Sequence, residues 1–183
     1  GVTLVDCIGP SVRSHNVAKQ EFAGYWEYLL DEAIFITPAH PSWGGAALVD
    51  GDGKLIGIGS LRLQMSHGGE VADINMIVPI NLLKPAMDEL LNHGRRKGPA
   101  RPWLGFYVAD NEDKLVVMGL ASRSPAQRAK IESGDVVVAV GDAEAESLAD
   151  LFRKIWSMGD AGVDVPLTLL REGNTVEVVV KSA

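Results

Sequence analysis

Ala39-His40-Pro41-Ser42-Trp43-Gly44-Gly45-Ala46-Ala47-Leu48-Val49-Asp50 runs directly into Gly51-Asp52-Gly53-Lys54-Leu55-Ile56-Gly57-Ile58-Gly59. A polar, glycine-rich loop here meets two apolar runs joined by a turn. Asp50-Gly51-Asp52-Gly53 is a hairpin signal, because both glycines can take the positive φ that tight hairpin turns require. Short strands are therefore expected at residues 46–49 and 55–63.

Outward from this hairpin, residues 2–8 form an apolar run closed by Gly9-Pro10. Residues 16–26 are a weaker strand interrupted by Gly24, residues 32–37 a strand stopped by Pro38, and residues 74–78 a last strand. Leu82, Leu83, Ala86, Met87, Leu90 and Leu91 recur at helical spacing, which predicts a helix over 81–92 with Gly94 as its stop. About six strands and a closing helix point to a small β-barrel. Residues 94–102, rich in Gly, Pro and charge, read as a linker.

Beyond it the pattern changes. A strand is expected at 115–120. Ser124-Pro125-Ala126 opens a short helix, with Ser124 as N-cap and Pro125 in the first turn. Gly134-Asp135 turns into a strand at 136–140. A helix over 147–157 carries the apolar stripe Leu148, Leu151, Phe152, Ile155 and Trp156. Strands at 165–170 and 175–180 pair across Arg171-Glu172-Gly173-Asn174. The chain is thus mainly β with some α, in two domains at 1–93 and 103–183.

The composition narrows the function. With 183 residues, 46% of them hydrophobic, the chain can bury one ordinary core or two small ones. A net charge of −7 leaves no basic stripe to neutralise phosphates, which speaks against nucleic acid as a partner. Arg95, Arg96, Lys97 and Arg101 read as a solvated linker cluster. The single cysteine, Cys7, allows no intrachain disulfide and reads as a small buried hydrophobe. No apolar run approaches the roughly 20 residues of a membrane span, and the residues at the start lack the pattern of a signal peptide. His67 and Glu70 make a two-ligand fragment without a third ligand, so no metal and no cofactor is expected.

The segments Trp103-Leu104-Gly105-Phe106, Ser124-Pro125-Ala126, Ser133-Gly134-Asp135-Val136 and Leu169-Leu170-Arg171-Glu172-Gly173 occur in the order found in bacterial PDZ domains of the HtrA type, which residues 103–180 resemble. Successive backbone N–H groups in Trp103–Phe106 can converge on a terminal carboxylate, and the strand that follows can add a peptide by β-augmentation. The resemblance implies that peptide C-termini or extended, unfolded segments bind there. The groove would be lined by Trp103, Leu104, Gly105 and Phe106 and by some of Leu148, Leu151, Phe152 and Ile155. About half of that helix stripe is expected to serve as core instead, since one amphipathic face must do both.

The first half resembles the C-terminal barrel of a trypsin-like serine protease of the HtrA (DegP-like) family. Leu30-Asp31-Glu32-Ala33-Ile34, the Gly44-Gly45 loop, Leu55-Ile56-Gly57-Ile58 and Met76-Ile77-Val78-Pro79-Ile80 carry the likeness. The resemblance implies a six-stranded barrel and, by family alone, a bacterial envelope or periplasmic setting. That family writes its nucleophile loop G-N-S-G-G-P-L, and Trp43 stands at the serine position. The family's Pro after the Gly pair is also missing, with Ala46-Ala47 in its place. Pro41, two residues before Trp43, has no N–H to serve as an oxyanion donor, and losing one such donor costs roughly a hundredfold in rate. The His and Asp of the triad belong to an N-terminal barrel outside these residues.

Three expectations follow. The leading one is a non-catalytic barrel joined to a peptide-binding PDZ domain. The second is a fragment of an active serine endopeptidase with Ser42, shifted by one, as nucleophile; His40 would then supply the earlier N–H. The plainer reading leaves Ser42 as a turn hydroxyl and His40 as an exposed loop histidine. The third is an assembly subunit, in which another copy or an N-terminal protease barrel covers an exposed barrel face.

Overall fold

A computed structural model describes residues 2–5, 12–67 and 70–183. Cys7, Gly9-Pro10 and the end of the strand expected at 2–8 lie outside the described residues, as do Gly68 and Gly69. The chain divides into two units, Gly1–Phe22 with Leu30–Lys97, and Ala23–Leu29 with Gly98–Ala183.

The first unit is a closed barrel of β1 (Val2–Val5), β2 (Val12–Gly24), β3 (Tyr28–Thr37), β4 (Ala47–Val49), β5 (Leu55–His67) and β6 (Glu70–Pro79), in the order β1-β2-β3-β6-β5-β4. The β4–β5 hairpin forms as its sequence requires. Asp50 Oδ1 accepts from the N–H groups of Asp52 and Lys54 at 3.0 and 2.9 Å, and Gly53 turns with φ +80°. Closure follows from β1, which pairs Thr3 with Val49 on β4 and with Arg13 on β2. Leu30, Ala33, Phe35, Ile36, Leu48, Ile74, Met76 and Ile77 are buried in this unit.

The helix expected over 81–92 is corrected. Two single 3-10 turns, Ile80–Leu82 and Lys84–Ala86, precede the α-helix α1 (Met87–His93). Pro85 is the cause, since it lacks an N–H and disfavours helical backbone in the residue before it. Gly94 ends α1 as expected, with φ +67° and its N–H on the Leu90 carbonyl at 2.9 Å.

The second unit holds β7 (Phe106–Asn111), β8 (Lys114–Leu120), α2 (Pro125–Arg128), β9 (Val136–Val140), β10 (Ala143–Glu144), α3 (Leu148–Ser157), β11 (Asp164–Arg171) and β12 (Asn174–Lys181). The sheet order is β12-β11-β9-β8-β7, with β10 paired to β9, so β7 is an edge strand. Both helices start on serine caps: Ser124 Oγ accepts from Gln127 N–H at 3.2 Å and Ser147 Oγ from Asp150 N–H at 3.1 Å. The β11–β12 turn has Glu172 and Gly173 at its tip, φ 49° and 81°, which places it one residue before the Gly173-Asn174 tip the sequence pointed to.

The Gly134-Asp135 and Arg171-Glu172-Gly173 motifs meet in this unit. Asp135 is buried and takes two hydrogen bonds from Arg171, Nε to Oδ1 at 2.6 Å and Nη2 to Oδ2 at 2.7 Å. Arg171 also donates to Glu132 Oε1 and to the Lys130 carbonyl. Burial works against the Asp135 carboxylate, but the Arg171 hydrogen bonds, the Glu132 N–H and the Arg171 charge outweigh it and hold its pKa below the ordinary value. A carboxyl depressed in the folded state contributes stability above its unfolded pKa and loses it as pH falls through the folded one. Acid titration should therefore loosen this unit from about pH 4 downward. Asp135→Asn should flatten that acid limb while lowering stability at neutral pH, as read by near-UV circular dichroism.

Candidate functional site

The carboxylate loop of the second unit is fixed from behind. Trp103 N–H donates to the Ala183 carbonyl at 3.0 Å, the Leu104 carbonyl accepts from Ala126 N–H at 2.9 Å, and the Gly105 carbonyl accepts from Ala121 N–H at 2.9 Å. Gly105 takes φ +74°, a left-handed turn that suits glycine. With the carbonyls so engaged, the N–H groups of Leu104, Gly105 and Phe106 converge on one carboxylate. It belongs to Glu27: Leu104 N–H donates to Oε2 at 3.2 Å, and Gly105 and Phe106 N–H donate to Oε1 at 2.6 and 3.4 Å. Burial pushes the Glu27 carboxyl above its ordinary value, and the three N–H groups only partly offset that. Two residues earlier, the Tyr25 carbonyl accepts from Val108 N–H on β7 at 3.0 Å. The Tyr25 ring meets Tyr107 edge to face at 6.0 Å.

The other residues expected to line the groove are buried with the loop in one cluster. Leu104, Phe106, Leu151, Phe152 and Ile155 are fully buried and Leu148 nearly so, while Trp103 is partly exposed. Ala23 packs against the same cluster. An open pocket beside the loop is lined by Glu27, Tyr28, Leu29, Arg101, Trp103 and Trp156. Arg101 lies over the Trp156 ring, 4.4 Å from its centre, so it is tied down rather than simply solvated. Sequence reasoning missed Glu27 and Tyr25, which sit far from the loop in sequence and carry no motif.

The Ser42-Trp43 loop is pinned against β5. Gly45 N–H donates to the Gly59 carbonyl at 2.9 Å, Gly59 N–H to the Ala46 carbonyl at 2.8 Å, and Ala46 N–H to the Trp43 carbonyl at 3.1 Å. Trp43 packs on the Ile36, Ala46, Leu48 and Ile77 cluster of the barrel. Ser42 is exposed. The expectation of a solvent-exposed His40 is corrected: it is buried at 2% exposure, because its N–H donates to the buried Asn75 Oδ1 at 2.7 Å. The Ser42 N–H donates to His40 Nδ1 at 3.0 Å. Both N–H groups that a Ser42-centred oxyanion hole would use are thus engaged, that of His40 by Asn75 on β6 and that of Ser42 by His40. No group of three metal-ligating side chains occurs among the described residues. No helix among them is long and apolar enough to cross a membrane.

Residues 102–181 match the PDZ domain family, and this segment is a PDZ domain. The chain is 28% identical over 155 residues to the serine protease Do-like HtrB of Bacillus subtilis (strain 168), covering 74% of this chain and 32% of that protein. It is 30% identical over 146 residues to a probable periplasmic serine protease do/HhoA-like of Haemophilus influenzae, covering 75% and 31%. The solved structure of an HtrA-type protease AlgW with decapeptide is similar at 25% identity and TM-score 0.51, covering 84% of this chain and 49% of that one. The same protease with tripeptide matches in fold, at 22% identity and TM-score 0.53, covering 100% and 64%. The chain is similar to HtrA-type proteases across both parts, a β-barrel followed by a PDZ domain. It spans about a third of the length of the curated relatives it matches.

Proposed function

We propose that this chain is the C-terminal part of an HtrA-like protein, that its PDZ domain binds peptide C-termini or extended segments, and that its barrel is not catalytic as it stands. One observation carries the peptide reading: the Leu104, Gly105 and Phe106 N–H groups meet on a single carboxylate at the start of edge strand β7. Three converging donors are a carboxylate-binding nest, and an edge strand beside them is what β-augmentation needs. Trp103, Leu104, Gly105 and Phe106 form the carboxylate end, with Leu148, Leu151, Phe152 and Ile155 supporting the apolar side. The structure of an HtrA-type relative with decapeptide is consistent with peptide or unfolded-segment partners. In this reading a second copy or an N-terminal protease barrel completes the first unit.

A display library of decapeptides with free and amidated C-termini tests the binding reading. Enrichment of the free-carboxylate set is expected, and equal recovery of both sets with no preference for extended segments rejects it. The second reading, Ser42 as nucleophile, keeps the exposure of that hydroxyl in its favour. Against it stand the engaged His40 and Ser42 N–H groups, since an oxyanion hole needs free donors aimed at the developing charge. A fluorophosphonate probe on the full-length protein is expected to leave Ser42 unlabelled; labelling that disappears in Ser42→Ala overturns the non-catalytic reading.

A further inference from the structure

The turn that joins β2 to β3 packs with the second unit, since Ala23–Leu29 belongs to it. Its contacts fall on the donors that an added peptide would use first. The Glu27 carboxylate sits on the three N–H groups of the nest, and the Tyr25 carbonyl takes the Val108 N–H. On an edge strand the N–H groups of residues two apart point to the same side. Those of Phe106 and Val108 are the first two that a peptide would use, and one turn occupies both. We propose that Tyr25–Glu27 is a tethered occupant of the peptide site, so that the free chain holds the site closed and a peptide with a free terminal carboxylate binds by displacing this turn. The proposal rests on the peptide-binding reading above.

The contact is built to be displaced. It consists of one side-chain carboxylate and one carbonyl rather than a full strand ladder. Glu27 adopts φ +59°, a left-handed conformation that costs a non-glycine residue energy. Burial raises its carboxyl, so the nest does not fully compensate for desolvating it. A terminal carboxylate is intrinsically the stronger acid, and a peptide behind it can add further hydrogen bonds along β7. Tethering offsets these disadvantages, because a segment linked to its site competes at an effective concentration in the millimolar range. Apparent affinity for any outside peptide falls by the fraction of molecules whose site is free.

Hydrogen exchange on the full chain, without peptide, tests the tether directly. Gly105 and Val108 amides should exchange at least tenfold faster in Glu27→Ala than in the unaltered chain. Val117, whose N–H donates to the Asp135 carbonyl, should be unchanged and reports that the fold is intact. Glu27→Gln, which keeps the shape without the charge, should fall between. A fluorescein-labelled pool of decapeptides with free C-termini should bind Glu27→Ala about tenfold more tightly than the unaltered chain. Equal exchange in both proteins overturns the tether. Binding of the pool to both with equal affinity also overturns it, and leaves the peptide-binding reading standing. Failure of the pool to bind either protein defeats that reading and the competition with it.

Discussion

Gly105→Ala is expected to destabilise the PDZ unit by about 3 kcal/mol, through backbone strain and overpacking together. The strain comes from φ +74°, where an alanine Cβ approaches the following carbonyl oxygen. The overpacking comes from what the Cβ would meet: the Ser124 Cβ, in hard clash, and the Trp103 ring at 2.8 Å. The Trp103 ring is exposed and can swing aside, but Ser124 cannot give way cheaply, because it is fully buried and caps α2. Gly134 separates the two causes. It too has positive φ, +96°, but a Cβ there meets nothing within 4 Å. Gly134→Ala should therefore show the strain alone, about 1–2 kcal/mol. Urea unfolding followed by exchange of the PDZ amides measures both, and equal losses at the two glycines would refute the packing argument. In Gly105→Ala the protection of the Gly105-to-Phe106 amides should also collapse, since the loop that aims them must shift.

Much of this architecture was legible because it is written in local chemistry. The Asp50–Gly53 turn, the Ser124 and Ser147 caps, the Gly94 stop and the α3 stripe each follow from residues a few positions apart, and the strands they bound were found. Pro85 carried its own warning, yet the apolar spacing of Leu82 to Leu91 outweighed it, and one helix was expected where two 3-10 turns and a short helix form. The Asp135–Arg171 pair explains why two separate motifs occur in the PDZ half, but only folding brings them within hydrogen-bond distance. His40 escaped for a similar reason. A loop histidine next to proline reads as exposed until Asn75, on β6, is seen to accept its N–H. Glu27 is the extreme case. It lies 78 positions from Gly105 and belongs to a turn between two barrel strands. A lone glutamate at a turn reads as solvated, and no periodicity or spacing connects it to a nest built from backbone N–H groups. A site whose donors are main-chain atoms leaves little trace in side-chain identity beyond the glycine that permits its shape.

Phe152→Ala is expected to cost the PDZ unit about 4 kcal/mol, the range for truncating a fully buried aromatic side chain. That is a large fraction of the roughly 5–15 kcal/mol that holds an ordinary domain together. The sequence left the α3 stripe divided between core and groove, and Phe152 is where the division can be measured. The residue has no exposed surface, and its ring lies 5.8 Å from Trp156 at an interplanar angle of 21°. Trp156 in turn carries the Arg101 guanidinium. A side chain lining an open groove would be partly wet in the free chain, so its loss would weaken peptide binding far more than folding. Phe152 is instead dry, packed with Leu104, Phe106, Leu151 and Ile155, and its removal leaves a cavity that rigid neighbours on β7 and α3 fill only in part. Phe152→Leu, which keeps most of the volume, should cost about 1 kcal/mol. A loss below about 1 kcal/mol in Phe152→Ala would assign the residue to the groove. The expected loss assigns it to the core, and in the proposed peptide-binding reading leaves recognition to the carboxylate loop and to the edge of β7 where Tyr25–Glu27 now sits.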